Sequence, residues 1–459
     1  MSTPTQSVIE AYRCPASFLQ VELQSELSND AGVFQVGPRL ICYGCSTKGF
    51  RKQQVGPHLY DAAPHGAESF LPFNPTEIVE NLRLERYLAT RESWIRSSGR
   101  KTYYQLRPFL HHSIRRQIQK LQLRGWRTRP FPGWPVDLTV ECIHEQVLLL
   151  LLRATGADRI PFIWFWPHGK ESCVIMTHDV EGEAGRNFCP ELMDLDDSYG
   201  IKASFQLVPQ GSYSVSSNLL ATIRSRGFEV GIQDLNHDGR LYDDRAEFLR
   251  RANLINQYAR EYGANGFRAG VLYRKPEWYD AFDFSFDMSI PNTAHLDPQR
   301  GGCCTVMPYF IGNILELPVT ATQDYMLAHL LGERSIELWK NQIRLILGKN
   351  GLITFIIHPD YVMHPVMRAL YTDLLQYVRE LQATRKIWLA LPSAVDNWWR
   401  ARAKMQLVRN GDEWHIEGEG AERAVVAYAK NVNGELVYEL QAVLAESRLR
   451  LDVFQRERR

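Results

Sequence analysis

Four segments place polar side chains where an apolar run stops. "VIMTHDVEGE" ends in Thr177, His178, Asp179, Glu181 and Glu183, and "FEVGIQDLNHDG" ends in Gln233, Asp234 and His237. "GFRAG" presents Arg268, and "TFIIHPDY" presents His358 and Asp360; a shorter run, "FSFDMS", adds Asp287. Carboxylates and imidazoles collected from separate segments suit general acid–base chemistry or the holding of a metal ion. A carboxylate such as Asp179 is costly to bury alone, and Arg268 is a natural partner for it. Each residue also has a plainer reading. His178 beside an apolar strand serves equally as a bonded core histidine, Asp287 as a loop-orienting acid, and His237 in "NHDG" as a turn residue.

Chemistry of this kind needs a scaffold that brings distant segments to one place. The chain has 459 residues, enough for one large domain with additions. Hydrophobic residues make up 45% and charged residues 23%, an ordinary globular balance. The formal net charge of +1 gives no global reason to expect a nucleic-acid partner. The first residues lack a basic start followed by an apolar run, so the expected location is the cytoplasm or the inner face of a membrane. The most apolar stretch, "EQVLLLLLRATG" at 145–156, is too short to span a bilayer and reads as a buried helix. Of eight cysteines, Cys42 and Cys45 form "CYGC" without a second such pair, and Cys303 and Cys304 are adjacent in what reads as a buried turn.

The rhythm of the chain changes along its length. Residues 1–80 read as a small mixed or β region and 81–157 as helix-rich, with helical patterns at 83–100 and a basic one at 108–124. From 158 to 404 short apolar runs, among them "IPFIWFW", "KASFQLV" and "GLITFIIHP", alternate with helical segments such as "YDDRAEFLRRANLINQYAREYG". Repeated strand–helix units predict a parallel sheet, either closed toward a barrel or open and doubly wound. In such folds the loops after the strands carry the chemistry, which is where the polar residues fall. Residues 405–459 alternate in period two, with "NG" at 433–434 signalling a hairpin, and predict a small antiparallel β appendage.

Taken in order, "THDVEGE", "QDLNHDG", "FRAG" and "IIHPDY" resemble the motifs of the polysaccharide deacetylase, or NodB-homology, family of carbohydrate esterases. The resemblance covers about residues 170–400. It implies a distorted (β/α)7-type barrel and removal of N- or O-linked acetyl groups from a carbohydrate. It also implies Asp179 as base, His358 as acid and Arg268 as the residue that holds the base. Glu181 and His237 would be ligands of a divalent metal, zinc above all. Gln233 stands where the family has its first metal-binding histidine, and Val180 where it commonly has a second Asp. A neutral amide oxygen is a poorer zinc ligand than imidazole, so a site of Glu181, Gln233 and His237 would bind zinc weakly, prefer a harder ion or bind none; Asp234 is a neighbouring alternative oxygen.

Three functions therefore stay open: a metal-assisted carbohydrate deacetylase, a weak or inactive relative that binds a glycan or serves in polysaccharide assembly, and a metal-independent hydrolase of a non-sugar amide. A carbohydrate is the expected partner, with a peripheral membrane or assembly partner as a further expectation. Trp164, Trp166 and Trp278 are candidates for stacking on sugar rings or, equally, for the core.

Overall fold

The computed structural model describes residues 3–19, 22–23, 26–29, 31–36, 40–47, 70–88, 123, 125–411 and 413–441. The basic pattern at 108–124, save Leu123, and most of that at 83–100 lie outside them. In the N-terminal region β1 (Glu22–Leu23) pairs with β4 (Phe70–Leu71), and β2 (Gly32–Val36) with β3 (Leu40–Gly44). The helix Thr139–Thr155 carries the leucine run and buries Val147, Leu148, Leu151 and Leu152, as its apolar stretch predicts.

Beyond it, β5 (Ile160–Ile163) precedes a nine-stranded sheet. That sheet comprises β6 (Ser172–Val180), β7 (Ala203–Leu207), β8 (Glu229–Gln233), β9 (Gly266–Arg268), β10 (Phe286–Asp287), β11 (Tyr309–Ile311), β12 (Ile314–Glu316), β13 (Leu352–Ile357) and β14 (Ile387–Leu389). The path runs β11-β12-β10-β9-β8-β7-β6-β13, with β14 paired to the start of β6. Every pairing is parallel except β11–β12. The sheet curls without closing: the fold is mixed α/β, a half-open, distorted (β/α) barrel of the NodB kind with extensions at both ends of the chain.

Sequence explains the elements locally. All nine residues of β6 are buried, as strands covered on both faces must be. The helix Arg245–Tyr262 starts where the Asp244 carboxylate accepts from the Ala246 and Glu247 N–H groups, and it stops at left-handed Gly263. At the chain's end β15 (Gln406–Asn410) and β16 (Glu413–Glu417) form one hairpin, and β17 (Val426–Val432) and β18 (Glu435–Leu440) another, turning at Asn433-Gly434 with positive φ at both residues.

One strand departs from the expected rhythm. "IPFI" forms a strand, but β5 joins β17 antiparallel in a three-stranded sheet and takes no part in the barrel. Pro161 lacks an N–H and suits the edge position that β5 holds. Trp164 and Trp166 follow it into the core, with their indole N–H groups donating to the Lys170 and Asn350 carbonyls, so neither is available to a ligand. Cys14, Cys42, Cys142, Cys173, Cys189, Cys303 and Cys304 are free thiols. Among the described residues no helix is long and apolar enough to cross a membrane.

The sheet leaves little slack beneath the site. A Cβ on Gly266 would stand 2.2 Å from the buried Phe286 ring, on the neighbouring strand. Gly266→Ala is expected to destabilise the fold by about 1–3 kcal/mol through overpacking, read as a lower urea midpoint at unchanged m-value.

Candidate active site

Parallel register delivers the polar residues to one end of the sheet. β13 runs beside β6 with Ile357 opposite His178, which sets His358 level with Asp179; β8 runs beside β9 with Gln233 opposite Arg268. Side chains alternate along a strand, so Thr177 and Asp179 share one face of β6 and His178 takes the other. His178 accordingly turns away. Its Nε2 lies 2.9 Å from Asp196, which also accepts from the Tyr371 hydroxyl at 2.5 Å. This is a buried histidine bonded into the helical layer, remote from the chemistry.

Asp179 is 3% exposed and Arg268 fully buried. Arg268 Nη1 lies 3.4 Å from Asp179 Oδ1, and Nη2 donates to Thr177 Oγ1 at 3.0 Å. Burial pushes the Asp179 carboxyl above the ordinary carboxylate range, an effect that Arg268 opposes. The Gln233 side chain turns its amide nitrogen toward both carboxylates, 3.3 Å from Asp179 Oδ2 and 3.3 Å from Glu181 Oε1. Asp179 Oδ1, Gln233 Oε1 and Arg268 Nε are buried without a hydrogen-bond partner, so the interior keeps unused polar capacity beside Asp179.

Glu181 lies just past the end of β6, its side chain 32% exposed. His237 Nε2 stands 2.9 Å from its Oε1, and His358 Nε2 3.6 Å from the same atom. Burial alone would raise the Glu181 carboxyl, but the two histidines outweigh it and hold the group well below its usual range. Asp234 and His237 both adopt positive φ, at 52° and 56°, conformations uncommon outside glycine. Asp234 accepts from the Leu235 N–H at 2.7 Å, and burial pushes its carboxyl up. Gly270 makes room for this turn, since a Cβ there would meet Asp234 Oδ2 at 2.5 Å and His237 Cδ2 at 3.1 Å. Asp287 pairs with Phe267 of β9, and its carboxylate accepts from Tyr279 Oη at 3.0 Å and from Ser289 Oγ at 2.7 Å, which in turn accepts from the Ala269 N–H.

The residue that sequence reasoning missed is Asp324. It is fully buried, lies 2.6 Å from His358 Nδ1 with one oxygen and accepts the His358 backbone N–H at 2.8 Å with the other. Burial disfavours a charged His358, yet Asp324 and then Glu181 outweigh it and raise the imidazole well above its ordinary pKa. The available signal was an acid following the apolar run "ILELPV", in "TATQDYM".

The donor set decides what this arrangement holds. A zinc site uses three or four side-chain ligands. Here Glu181 and His237 approach each other, Gln233 offers an N–H, and His358 Nδ1 is engaged by Asp324. Among the described residues no three His, Cys, Asp or Glu side chains converge as metal ligands. The residues present do not fit the expected zinc centre.

No family model matches the chain, and no curated protein matches it. Similar solved structures include a Mycobacterium smegmatis protein assigned as a polysaccharide deacetylase, at 18% identity over 55% of this chain and 98% of that one, with a TM-score of 0.43. They also include Puue allantoinase, at 13% identity over 51% and 92% with a TM-score of 0.42. A mutant of BA3943, a CE4 family pseudoenzyme, matches at 14% identity over 50% and 68% with a TM-score of 0.32.

Asp324→Asn removes the negative charge that favours the His358 imidazolium, so the His358 pKa must fall. Its ring resonances, followed by NMR against pH, are expected to titrate at lower pH in the variant than in the parent. Identical titration curves would show that Asp324 does not control His358.

Proposed function

We propose that the chain is a hydrolase that removes an acyl group, as amide or ester, from a carbohydrate. Asp179 acts as base and His358 as acid, and no step passes through a metal ion. The observation that carries this reading is a buried carboxylate held by Arg268 and an imidazole held by Asp324, at the ends of adjacent strands. Asp179 takes a proton from water as the water oxygen bonds to the acyl carbon. His358 then gives its proton to the departing nitrogen or oxygen as that bond breaks, and both groups re-equilibrate with solvent. The upward shifts suit both steps: they make Asp179 the stronger base and favour the protonated form of His358. Arg268 and the His358 imidazolium supply positive charge near the tetrahedral intermediate. Glu181 orients His358 and is itself held by His237 and Gln233. We take 158–404 as the catalytic unit, between the 1–80 and 81–157 regions and the 405–459 appendage, and a cytoplasmic location is part of the proposal.

Glu181 and His237, in direct contact at 2.9 Å, are two of the expected ligands and fall short of the three that a zinc site needs. By the resemblance, Gln233 stands where the third ligand is expected. Gln233→His is expected to create a three-donor site that binds zinc at least about tenfold more tightly than the parent by calorimetric titration. No gain would show that position 233 does not face the other two donors.

Asp179→Asn and His358→Ala are each expected to lower kcat by about 10²–10⁴-fold on acetylated oligosaccharides with the far-UV spectrum unchanged. Undiminished turnover in both would rule out the assignment. A parent without turnover would leave the fold as a binding module.

A further inference from the structure

The helix Thr139–Thr155 buries two polar side chains besides its leucines. Glu141 and His144 stand three residues apart on one face, at 5% and 3% exposure. Glu141 Oε1 accepts from the Thr305 hydroxyl, and from the Val306 N–H at 3.1 Å. Its Oε2 has no hydrogen-bond partner, and neither has His144 Nε2. The helix Pro75–Arg83 ends in Arg83, which is half-buried; its Nε is sealed from solvent and also lacks a partner. The Arg83 guanidinium lies over the Tyr309 ring, 5.1 Å from the centroid.

All three side chains line one cavity, where the barrel meets the extensions from both ends of the chain. Tyr12 from the first helix and Tyr438 from β18 also line it, with their hydroxyls 2.7 Å apart. Phe165, Met307 and Trp399 give it an apolar wall. Lys349 Nζ donates to both Glu145 oxygens, at 2.8 and 2.6 Å, and this pair, each side chain 22% exposed, forms the wetter part of the lining. Lys349 precedes β13 and His358 follows it, so the length of that strand separates the cavity from the acid. The space open to the centre of a water molecule is about 20 Å³. One water needs about 10–15 Å³ by that measure, which leaves room for about one or two waters or an ion of about four heavy atoms, and none for a sugar.

Buried polar atoms without partners are costly, and a guanidinium among them adds a charge that water does not balance. Burial pushes the Arg83 guanidinium and the His144 imidazole down and the Glu141 carboxyl up to about 7. His144 is therefore neutral, and Glu141 passes readily into its neutral acid. Lys349 and Glu145 cancel, so the charge left over is that of Arg83. A neutral acid whose first oxygen already accepts has a proton to donate from the second. Arg83 Nε–H, the Glu141 acid and the His144 Nε2–H tautomer then form a set of donors around a space of anion size. A carboxylate supplies the lone pairs for them, and a methyl group suits the apolar wall. A divalent cation does not suit a cavity that Arg83 lines, and among the described residues no three ligating side chains converge.

We propose that this cavity binds a small monocarboxylate of acetate size, held by Arg83, Glu141 and His144, and that the anion ties the N-terminal extension to the barrel. The inference is independent of the hydrolase reading.

The test is calorimetric titration of the full chain with sodium acetate, sodium butyrate and sodium chloride in a sulfonate buffer. The parent is expected to bind acetate saturably at one site, chloride at least about tenfold more weakly, and butyrate not at all, because its chain exceeds the space. Acetate affinity is expected to fall at least about tenfold in Arg83→Gln and about 3- to 10-fold in His144→Leu. Glu141→Gln keeps an acceptor for Thr305 and offers an amide N–H to the anion, so it is expected to stay within about threefold of the parent. Absence of saturable acetate binding by the parent would leave the cavity to water and overturn the proposal. Equal affinity in folded Arg83→Gln and His144→Leu, chloride binding as tight as acetate, or loss of binding in folded Glu141→Gln would overturn it as well.

Discussion

A carboxylate buried at the end of a central strand must be neutralised, and much of this structure follows from how that is done. Asp179 has almost no access to water, and Arg268, fully buried on β9, is its cationic partner. The guanidinium must cross the width of β7 and β8 to reach it, so those strands present small or polar side chains on that face. Thr177 and Gln233 complete the support by hydrogen bonds to Arg268 and Asp179. An ion pair of this kind is weak as a source of stability, because desolvation offsets the attraction. Its effect is to hold the Asp179 carboxyl in place and to oppose the upward shift that burial imposes on it.

The second organising feature is Glu181. Three side chains meet its carboxylate. Gln233 brings an amide N–H, His237 brings an imidazole nitrogen, and His358 approaches from the end of the adjacent strand β13. Asp324 then fixes His358 from behind. Proton donors thus gather around a carboxylate where a cation would otherwise balance the charge. The Gln233 replacement and the acid–base geometry are two sides of one electrostatic arrangement.

Much of the fold was legible because parallel strands buried on both faces write long apolar runs, and their ends write polar residues. The motifs around Asp179, Gln233, Arg268 and His358 were found that way, and register brings those four together. Alternation would have separated His178 from Asp179, but it can be applied only once the strand and its inner face are known. The strand Ile160–Ile163 has the same apolar texture as barrel strands; only its partner, β17, distinguishes it, and that partner lies more than 250 residues away. Asp324 escaped for a related reason. It sits in an irregular segment that no period marks, 34 residues before the histidine it holds.

The central claim is that protein donors, rather than a bound ion, complete the site around Glu181. The most direct measurement is the metal content of untagged protein, together with turnover before and after dialysis against a strong chelator. The account predicts substoichiometric metal and turnover that survives chelation. A stoichiometric divalent ion, lost along with turnover on chelation and absent from His237→Ala, would contradict it.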